Sequence, residues 1–230
     1  MPTISCPEVT LPLLNRTVAG QALACRLSAY KNQPNTVVLA LPRGGVPVAI
    51  EIASALGALL DVMVVRKLGA PAFPELALGA IASGNIRVFN HEVIHTYGIT
   101  PQQIEMIARH EQTELERREQ YYRAHRPLLN LSQKTVILVD DGIATGASLQ
   151  AAIEALRLQK PKKIIVAVAV AAQATLQKFT HIVDEVVCLH SSEHFLSVSQ
   201  WYDDFSPVSD EQVIQCLNAY WCNDSLQARA

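Results

Sequence analysis

The sequence predicts an α/β protein with three layers, in which a mostly parallel sheet carries helices on both faces. Short runs of β-branched residues alternate with stretches of helical periodicity, and the runs are apolar on both faces, as strands of a covered parallel sheet are. No linker rich in Ser, Gly or Pro divides the 230 residues into comparable halves. We therefore expect one domain over residues 1–230.

The predicted strands are five short apolar runs. They cover residues 36–41, 62–65, 136–139, 164–170 and 183–189. Between them, helical periodicity over 46–56 should end at Gly57, and that over 147–158 should end before Pro161, because glycine and proline terminate helices. Strands that alternate with helices in this way are typical of parallel sheets.

A long interval, from about residue 68 to about residue 130, separates the second and third predicted strands. The interval is longer than a simple crossover connection between two strands, so we expect an insertion at the functional edge of the sheet. Residues 76–82 and 86–89 should pair as a hairpin, because the Ser-Gly-Asn turn between them favours chain reversal.

A long helix should follow this hairpin within the insertion. Thr100 supplies an N-cap, Pro101 suits the first helical position and Gln103 completes a capping box. We expect the helix to continue to about His125. Glu and Arg alternate at helical pairing distances over residues 111–123, which predicts a solvated charged face rather than a binding surface.

Composition and charge exclude several classes of partner. The formal net charge of -2 gives no global positive field, so we expect neither nucleic acid nor an anionic membrane as a partner. The first residues lack the basic and apolar regions of a secretory signal, and the apolar run 164–172 is shorter than the ~20 residues that cross a bilayer. The five cysteines form no Cys-x-x-Cys pair. We expect a cytoplasmic protein with reduced thiols.

The strongest functional signal is the stretch from Val136 to Ser148. Its apolar residues predict a buried strand, Asp140 and Asp141 follow at the carboxyl end, and a turn of small residues leads into a helix. Ligands of open α/β sheets bind at this edge. The turn and the helix N-terminus can hold a phosphate through backbone N–H groups, with hydroxyls from Thr145 and Ser148. Ionised carboxylates only accept hydrogen bonds, so they suit the diol of a sugar.

A phosphate site beside a diol site predicts that the ligand contains ribose 5-phosphate. No lysine follows Gly146 as a P-loop requires, and no G-x-G-x-x-G opens the first helix, so both nucleotide motifs are excluded. His91 and His95 have i, i+4 spacing without the rest of an H-E-x-x-H motif. We interpret them as exposed histidines and predict no metal-ligating residues.

The stretch from Val136 to Ser148 resembles the signature with which type I phosphoribosyltransferases bind 5-phosphoribosyl 1-pyrophosphate (PRPP). The resemblance extends from about Arg16 to about Val213, and its other characteristic segments are residues 41–46, 65–71 and 74–80. The sequence looks most similar to bacterial members without an assigned acceptor. Ala147 stands where a second glycine is frequent, and Ser148 replaces threonine but keeps the hydroxyl.

The resemblance implies transfer of the phosphoribosyl group from PRPP to a nitrogenous acceptor. We expect Mg²⁺ as cofactor, because hard cations pair with the phosphate oxygens of pyrophosphate. The two carboxylates would bind the ribose hydroxyls, and residues 41–45 would bind pyrophosphate. The implied PRPP-binding residues are Leu41, Pro42, Gly44, Gly45, Asp140, Asp141, Gly142, Ile143, Ala144, Thr145, Gly146, Ala147 and Ser148. Taken alone, the Pro-Arg-Gly-Gly sequence of the first loop is also a common turn.

Three cations are implied as catalytic residues, namely Arg43, Arg66 and Lys67. Arg43 can bind a phosphate through its planar fork. Arg66 and Lys67 are expected to end the second strand, before a loop that closes over PRPP in the family. Closure would exclude water while negative charge builds on the departing pyrophosphate. The alternative is that Arg66 and Lys67 are exposed charges at a strand end.

Aromatic residues concentrate near the C-terminal end, in a segment over about 190–215. The resemblance implies that this segment is a hood packed against the acceptor, with Trp201 and Tyr202 as contact residues. The alternative is a small hydrophobic cluster that anchors the C-terminal helix.

Two other functions stay open at the level of sequence. A PRPP-sensing regulator would keep the binding loops without turnover, although regulators of this kind usually carry a basic nucleic-acid-binding surface. The other is a scaffolding protein that descends from this fold, because a fold does not fix a function. The sequence does not decide the oligomeric state, and a homodimer is the assembly we consider.

Overall fold

The computed structural model describes residues 9–71, 73, 76–123 and 126–227. Its strands are β1 Thr36–Ala40, β2 Leu59–Val62, β3 Val65–Gly69, β4 Ala77–Ala82, β5 Ile86–Phe89, β6 Thr135–Ile143, β7 Lys163–Ala172 and β8 Glu185–Ser192. Its α-helices are α1 Arg16–Arg26, α2 Gly45–Leu56, α3 His91–Thr96, α4 Pro101–Arg123, α5 Ala147–Leu158, α6 Gln173–Thr180 and α7 Asp210–Gln227.

Five parallel strands form the main sheet in the order β2-β1-β6-β7-β8. Four of the predicted strands and both predicted helix ends are confirmed: α2 ends at Leu56 with Gly57 as its C-cap, at a φ of +63°, and α5 ends at residue 158. From β1 the chain continues to β2 on one side, while β6 lies on the other side. Such a change of direction opens a crevice at the carboxyl ends of the two central strands, where α/β proteins bind ligands.

Two apolar layers cover the two faces of this sheet, which confirms the predicted three-layer class. Alternate residues of the central strands point to opposite faces, as in Val38 and Leu39 of β1. One face packs against α1, α2 and α7, and the other packs mainly against α5 and Phe179 of α6. Burial of each such aliphatic side chain contributes about 1.5–3 kcal/mol, so the sheet is a rigid platform for its loops.

The second predicted strand is wrong in its bounds. The chain leaves the main sheet at Val62 and starts a different sheet at Val65. Met63 and Val64 between them are both buried, so the apolar run continues through the change of sheet and gives no signal of it. Arg66 and Lys67 therefore lie within β3 and not at the end of a main-sheet strand.

The insertion folds as a small antiparallel sheet followed by two helices. Strands β3, β4 and β5 pair in that order, and the predicted hairpin between β4 and β5 is confirmed with Ala82 opposite Ile86. The capping box is confirmed as well. The Thr100 backbone N–H donates to Gln103 Oε1 at 2.9 Å, and the Gln103 N–H donates to Thr100 Oγ1 at 3.3 Å.

The charged face of α4 is solvated along part of its length only. Arg117 is mostly exposed where it pairs with Glu114, as expected. Arg123 departs from the prediction, because its side chain is only 5% exposed. Its Nε donates to Asp61 Oδ1 at 2.9 Å and its Nη2 donates to the carbonyl oxygen of Val62 at 2.5 Å. The end of α4 is thereby fixed to the end of β2.

Within the described part of the chain, no helix is long and apolar enough to cross a membrane. The cysteines in this part, Cys25, Cys188, Cys216 and Cys222, are not joined in disulfide bonds.

Candidate ligand-binding site

The signature forms the end of β6, a short loop and the start of α5. Strand β6 runs between β1 and β7 and ends at Ile143, and α5 begins at Ala147. The first N–H groups of a helix have no partner within it, and they carry partial positive charge. Thr145, Ala147 and Ser148 are exposed around these groups. The arrangement suits a phosphate.

Gly146 allows this loop to form against α6. Its φ is +76°, in the left-handed region that disfavours side chains, and a Cβ here would lie 2.7 Å from the ring of Phe179. Thr175 Oγ1 also donates to the carbonyl oxygen of Ala144 at 2.8 Å. Helix α6 thus supports one side of the loop and leaves the other side exposed.

The loop of residues 41–45 lies directly against the end of β6. The Leu41 N–H donates to the carbonyl oxygen of Val139 at 2.9 Å, and the following Pro42–Arg43 peptide bond is cis. A Cβ at Gly44 would lie 2.0 Å from Asp141 Oδ2, so only glycine lets the loop approach this carboxylate. The two loops that the sequence assigned to phosphate groups are therefore neighbours.

Asp140 and Asp141 have different surroundings, although they are adjacent in β6. Asp141 is 8% exposed and its Oδ2 accepts a hydrogen bond from Arg16 Nε at 2.8 Å. Asp140 is half-buried, and its Oδ1 accepts from the backbone N–H of Asp141 at 2.9 Å. Adjacent strand residues point to opposite faces, so the two carboxylates do not share one direction.

Burial disfavours the ionised form of both carboxylates. It raises the pKa of Asp140 well above the ordinary range, and the neighbouring Asp141 raises it further. Burial also raises the pKa of Asp141, but Arg16 opposes this rise through its hydrogen bond and its charge. Of the two, Asp140 is the one that needs hydrogen-bond donors from a ligand to stabilise its charge.

Sequence reasoning assigned no role to Arg16. The residue is 9% exposed, its Nη1 donates to the carbonyl oxygen of Ser206 at 2.9 Å, and its guanidinium lies 3.9 Å from the ring centroid of Phe205. The bond to Asp141 joins positions 125 residues apart. Local patterns carry no signal of such a distant pair, although the resemblance begins at this residue.

The predicted hood is held against the end of β6. Tyr202 is 6% exposed and its hydroxyl donates to the carbonyl oxygen of Asp141 at 2.7 Å. Trp201 is partly exposed and lies between His190 and Phe195, with ring centroids 4.6 Å and 6.1 Å away. Tyr202 thus has the anchoring contacts that the alternative interpretation expected, while Trp201 is only partly buried.

The three implied cations lie in three different settings. Arg43 has a side chain that is 52% exposed, with Nη1 3.7 Å from Asp210 Oδ1 at the start of α7. Arg66 is held by Glu111 of α4, with Nε 2.7 Å and Nη2 2.6 Å from Oε2. Lys67 is exposed on β3.

A cavity of about 790 Å³ is lined by residues of the small sheet and of α5. Lys67 lines one wall, and Ala147 and Ser148 line the other. The structure therefore brings Lys67 close to the start of α5, whereas Arg43 lies on the loop over Asp141.

The donor set does not form a cage for a resident metal ion. Among the described residues, no group of three or more His, Cys, Asp and Glu side chains could hold one. His91 and His95 are exposed on the short helix α3. A cation at this site would need ligands from a bound phosphate compound.

Comparison with known proteins gives consistent results. Residues 12–205 match the family model described as the phosphoribosyl transferase domain. A Mycobacterium tuberculosis protein, Rv0571c, is named provisionally as a phosphoribosyl transferase; it is 41% identical over 204 residues, which are 89% of this chain and 46% of the relative. The chain thus spans about half the length of the curated relatives it matches. The crystal structure of TT1426 from Thermus thermophilus has a TM-score of 0.81 and 38% identity, and it covers 90% of this chain and 98% of that one.

Proposed function

This chain belongs to the phosphoribosyltransferase family, and from that premise we propose that it binds PRPP and transfers the phosphoribosyl group to a nitrogenous acceptor. One observation carries the proposal. The loop of residues 41–45 contacts the end of β6 at Gly44 and Asp141, beside the loop that opens α5. Two anion-binding loops with carboxylates between them match a sugar that bears phosphate groups at both ends.

We assign the 5-phosphate to residues 143–148, where helix N–H groups and the hydroxyls of Thr145 and Ser148 would bind it. Asp140 and Asp141 are proposed for the ribose hydroxyls, with Gly142 following them. Residues 41–45, with Gly44 and Gly45 permitting close approach, are proposed for pyrophosphate. Support comes from the short distance between the two loops, which is fixed by the pairing of β1 with β6.

In the proposed reaction, the lone pair of the acceptor nitrogen forms a bond to C1 of the ribose. The bond between C1 and the pyrophosphate oxygen breaks, its electron pair leaves with pyrophosphate, and the acceptor nitrogen releases its proton. The leaving group is already a good one. The residues of the chain therefore act chiefly by positioning the reactants and by stabilising charge.

We propose that Arg43, Arg66 and Lys67 provide this stabilisation. Arg43 is placed for it by its loop, and Lys67 faces the phosphate-binding end of α5 across the cavity. Arg66 would first have to exchange its contact with Glu111 for the ligand. We further propose that Trp201 contacts the acceptor and that Tyr202 supports it.

We propose Mg²⁺ as the cofactor, bound through phosphate oxygens and water. Hard cations prefer these ligands, and the donor set of the described residues lacks a cage. When bound, Mg²⁺ would neutralise part of the charge on the diphosphate. A cytoplasmic location, small-molecule substrates and a homodimeric assembly belong to the same proposal, without membrane or nucleic-acid partners, as the charge balance suggests.

The test is a calorimetric titration with PRPP and Mg²⁺, followed by a screen of nitrogen heterocycles for pyrophosphate release. We expect binding, and release with at least one acceptor. Binding without release across a broad screen would identify a PRPP sensor instead. Absence of PRPP binding by the folded protein would refute the proposal.

A further inference from the structure

We propose that Arg16 is a positioning residue for this site. It neutralises Asp141 beneath the loop of residues 41–45, and it fastens the hood loop, residues 201–206, to the end of β6. Of the two carboxylates proposed for the ribose hydroxyls, Asp140 is thereby the one whose charge Arg16 does not pair. The inference rests on the proposed function for the identity of the ligand, while the fastening of the hood loop can be tested without a ligand.

The first argument is the burial of the pair. Arg16 is 9% exposed and Asp141 is 8% exposed, and Nε lies 2.8 Å from Oδ2. Arginine stays protonated in proteins, so the pair carries no net charge. A buried carboxylate that loses its cation becomes uncompensated, which is far more unfavourable than keeping the pair.

The second argument is the place of Asp141 under the proposed pyrophosphate loop. Its Oδ2 is so near Gly44 that an added Cβ would lie 2.0 Å away. An uncompensated carboxylate at this position would repel the most highly charged part of PRPP through only the backbone of the loop. Arg16 removes that repulsion by pairing with the carboxylate.

The third argument is the hood loop. Arg16 Nη1 donates to the carbonyl oxygen of Ser206 at 2.9 Å, and the guanidinium stacks on Phe205. Tyr202 reaches the same strand end through its bond to the Asp141 carbonyl oxygen. One planar guanidinium therefore joins the carboxylate to the hood loop, a geometry that the ammonium group of lysine does not reproduce.

Arg26 provides a matched control on the same helix. Its Nη1 and Nη2 donate to the carbonyl oxygens of Cys188 and Leu189, at 2.5 Å and 3.4 Å. It thus also joins α1 to a distant part of the chain, but away from the two loops.

The experiment compares Arg16→Met, Arg16→Lys, Asp141→Asn, the double variant Arg16→Met/Asp141→Asn, and Arg26→Met. We expect Arg16→Met to weaken PRPP binding by about tenfold or more, as loss of a charge-assisted bond does. The double variant should recover to within about threefold of Asp141→Asn alone, since no buried charge remains unpaired. Arg16→Lys should bind within about threefold of wild type, because the charge is kept. Arg26→Met should bind like wild type.

Hydrogen–deuterium exchange of residues 201–206 is the second measurement. Exchange should be faster in both Arg16 single variants and in the double variant, since all of them lose the fork between Asp141 and Ser206. It should be unchanged in Arg26→Met. This pattern separates fastening from charge neutralisation, because Arg16→Lys should change exchange but hardly change affinity.

Three results would overturn the inference: PRPP affinity of Arg16→Met equal to that of Arg26→Met, no recovery in the double variant, or unchanged exchange of residues 201–206. If Arg16→Met does not fold, Arg16→Lys and the double variant, which avoid an unpaired buried carboxylate, decide the same questions. If the wild type does not bind PRPP, the proposed function fails, and exchange still decides whether Arg16 holds the hood loop.

Discussion

Tyr202 donates a hydrogen bond of 2.7 Å from its hydroxyl to the backbone carbonyl oxygen of Asp141. The bond connects the hood to the signature strand through a main-chain atom, so it fixes the position of the strand end. Burial raises the pKa of Tyr202, which keeps the hydroxyl protonated and able to donate. Loss of this bond should therefore affect the site as well as the stability of the fold.

Tyr202→Phe should reduce stability and also weaken PRPP binding. The change leaves the Asp141 carbonyl oxygen without this donor, at a cost of about 1 kcal/mol. Tyr220→Phe is the matched control, because the Tyr220 hydroxyl donates to the Ala58 carbonyl oxygen at 2.6 Å, away from the site. Urea unfolding should show similar losses in both, and PRPP titration a loss only in Tyr202→Phe. Equal PRPP affinities would contradict the link between hood and site.

Asp140→Asn should weaken PRPP binding but stabilise the free protein at pH 7. Because the pKa of Asp140 is raised on folding, the ionised carboxylate destabilises the folded state above that pKa. The folded state binds the Asp140 proton more tightly than the unfolded state does, so the protonated carboxyl stabilises the fold at low pH. This contribution is lost as the pH rises through the pKa that Asp140 has in the folded state. Asparagine stays neutral, so its advantage should appear at pH 7 and shrink in acid. Melting temperatures across this pH range test it.

The exposed Asp203 gives the control for that experiment. Asp203→Asn should leave both the melting temperature at pH 7 and the PRPP affinity near wild type. For Asp140→Asn, the charge-assisted bonds lost to the ligand correspond to about tenfold or more in affinity. A melting temperature below that of wild type at pH 7 would show that Asp140 is not an unfavourably buried charge.

Gly146→Ala should cost more stability than Gly98→Ala. Both glycines have positive φ, +76° and +60°, so alanine carries a similar backbone penalty of about 1 kcal/mol at each. The space differs: a Cβ at Gly98 meets nothing within 4 Å, whereas one at Gly146 lies 2.7 Å from Phe179. Ribose 5-phosphate should protect Gly98→Ala from thermal unfolding like wild type and protect Gly146→Ala poorly. Full protection of Gly146→Ala would place the phosphate elsewhere.

Arg43→Ala should lower the rate of pyrophosphate release more than PRPP affinity. Charge develops on the leaving oxygen only as the C1 bond breaks, so a nearby cation stabilises the transition state more than the bound substrate. A loss of ~100-fold in kcat is expected by analogy with one preorganised donor. Arg109→Ala, on the exposed face of α4, is the control. A rate that falls only in proportion to affinity would refute this role for Arg43.

Arg66→Ala and Lys67→Ala should differ in stability but agree in turnover. Removing Arg66 leaves Glu111 without its ion pair and should cost up to about 1 kcal/mol, because the pair is partly exposed. Lys67→Ala should cost less, because this side chain is more exposed. If β3 supplies cations to the reaction, single-turnover release falls in both variants. Wild-type turnover in Arg66→Ala would assign Arg66 to the structure of the insertion alone.

Much of the main sheet could be predicted because its signals are local. Each covered strand is a continuous apolar run, and Gly57 and the Thr100 capping box mark helix ends by their own chemistry. The two loops could also be located, since both follow strands at one edge. The division of the run around Met63 between two sheets could not be predicted, because both sheets bury apolar residues there.

The contacts that organise the site join distant positions, and no local pattern in the sequence signals them. Arg16 and Asp141 are 125 residues apart, and whether an arginine at a helix start is solvated or buried depends on what packs over it. The same holds for Arg66, whose pairing with Glu111 spans 45 residues and depends on how α4 lies against the small sheet.

The bonds from Arg123 to Asp61 and Val62 have a further consequence. They join the residues at which the insertion leaves and re-enters the main fold, 61 and 62 residues apart in the chain but within hydrogen-bonding distance in space. The inserted segment therefore begins and ends at neighbouring points beside the central sheet, as the two ends of a tight turn do. Because the entropic cost of loop closure grows only slowly with loop length, the number of residues between these two positions has little effect on the cost of bringing them together.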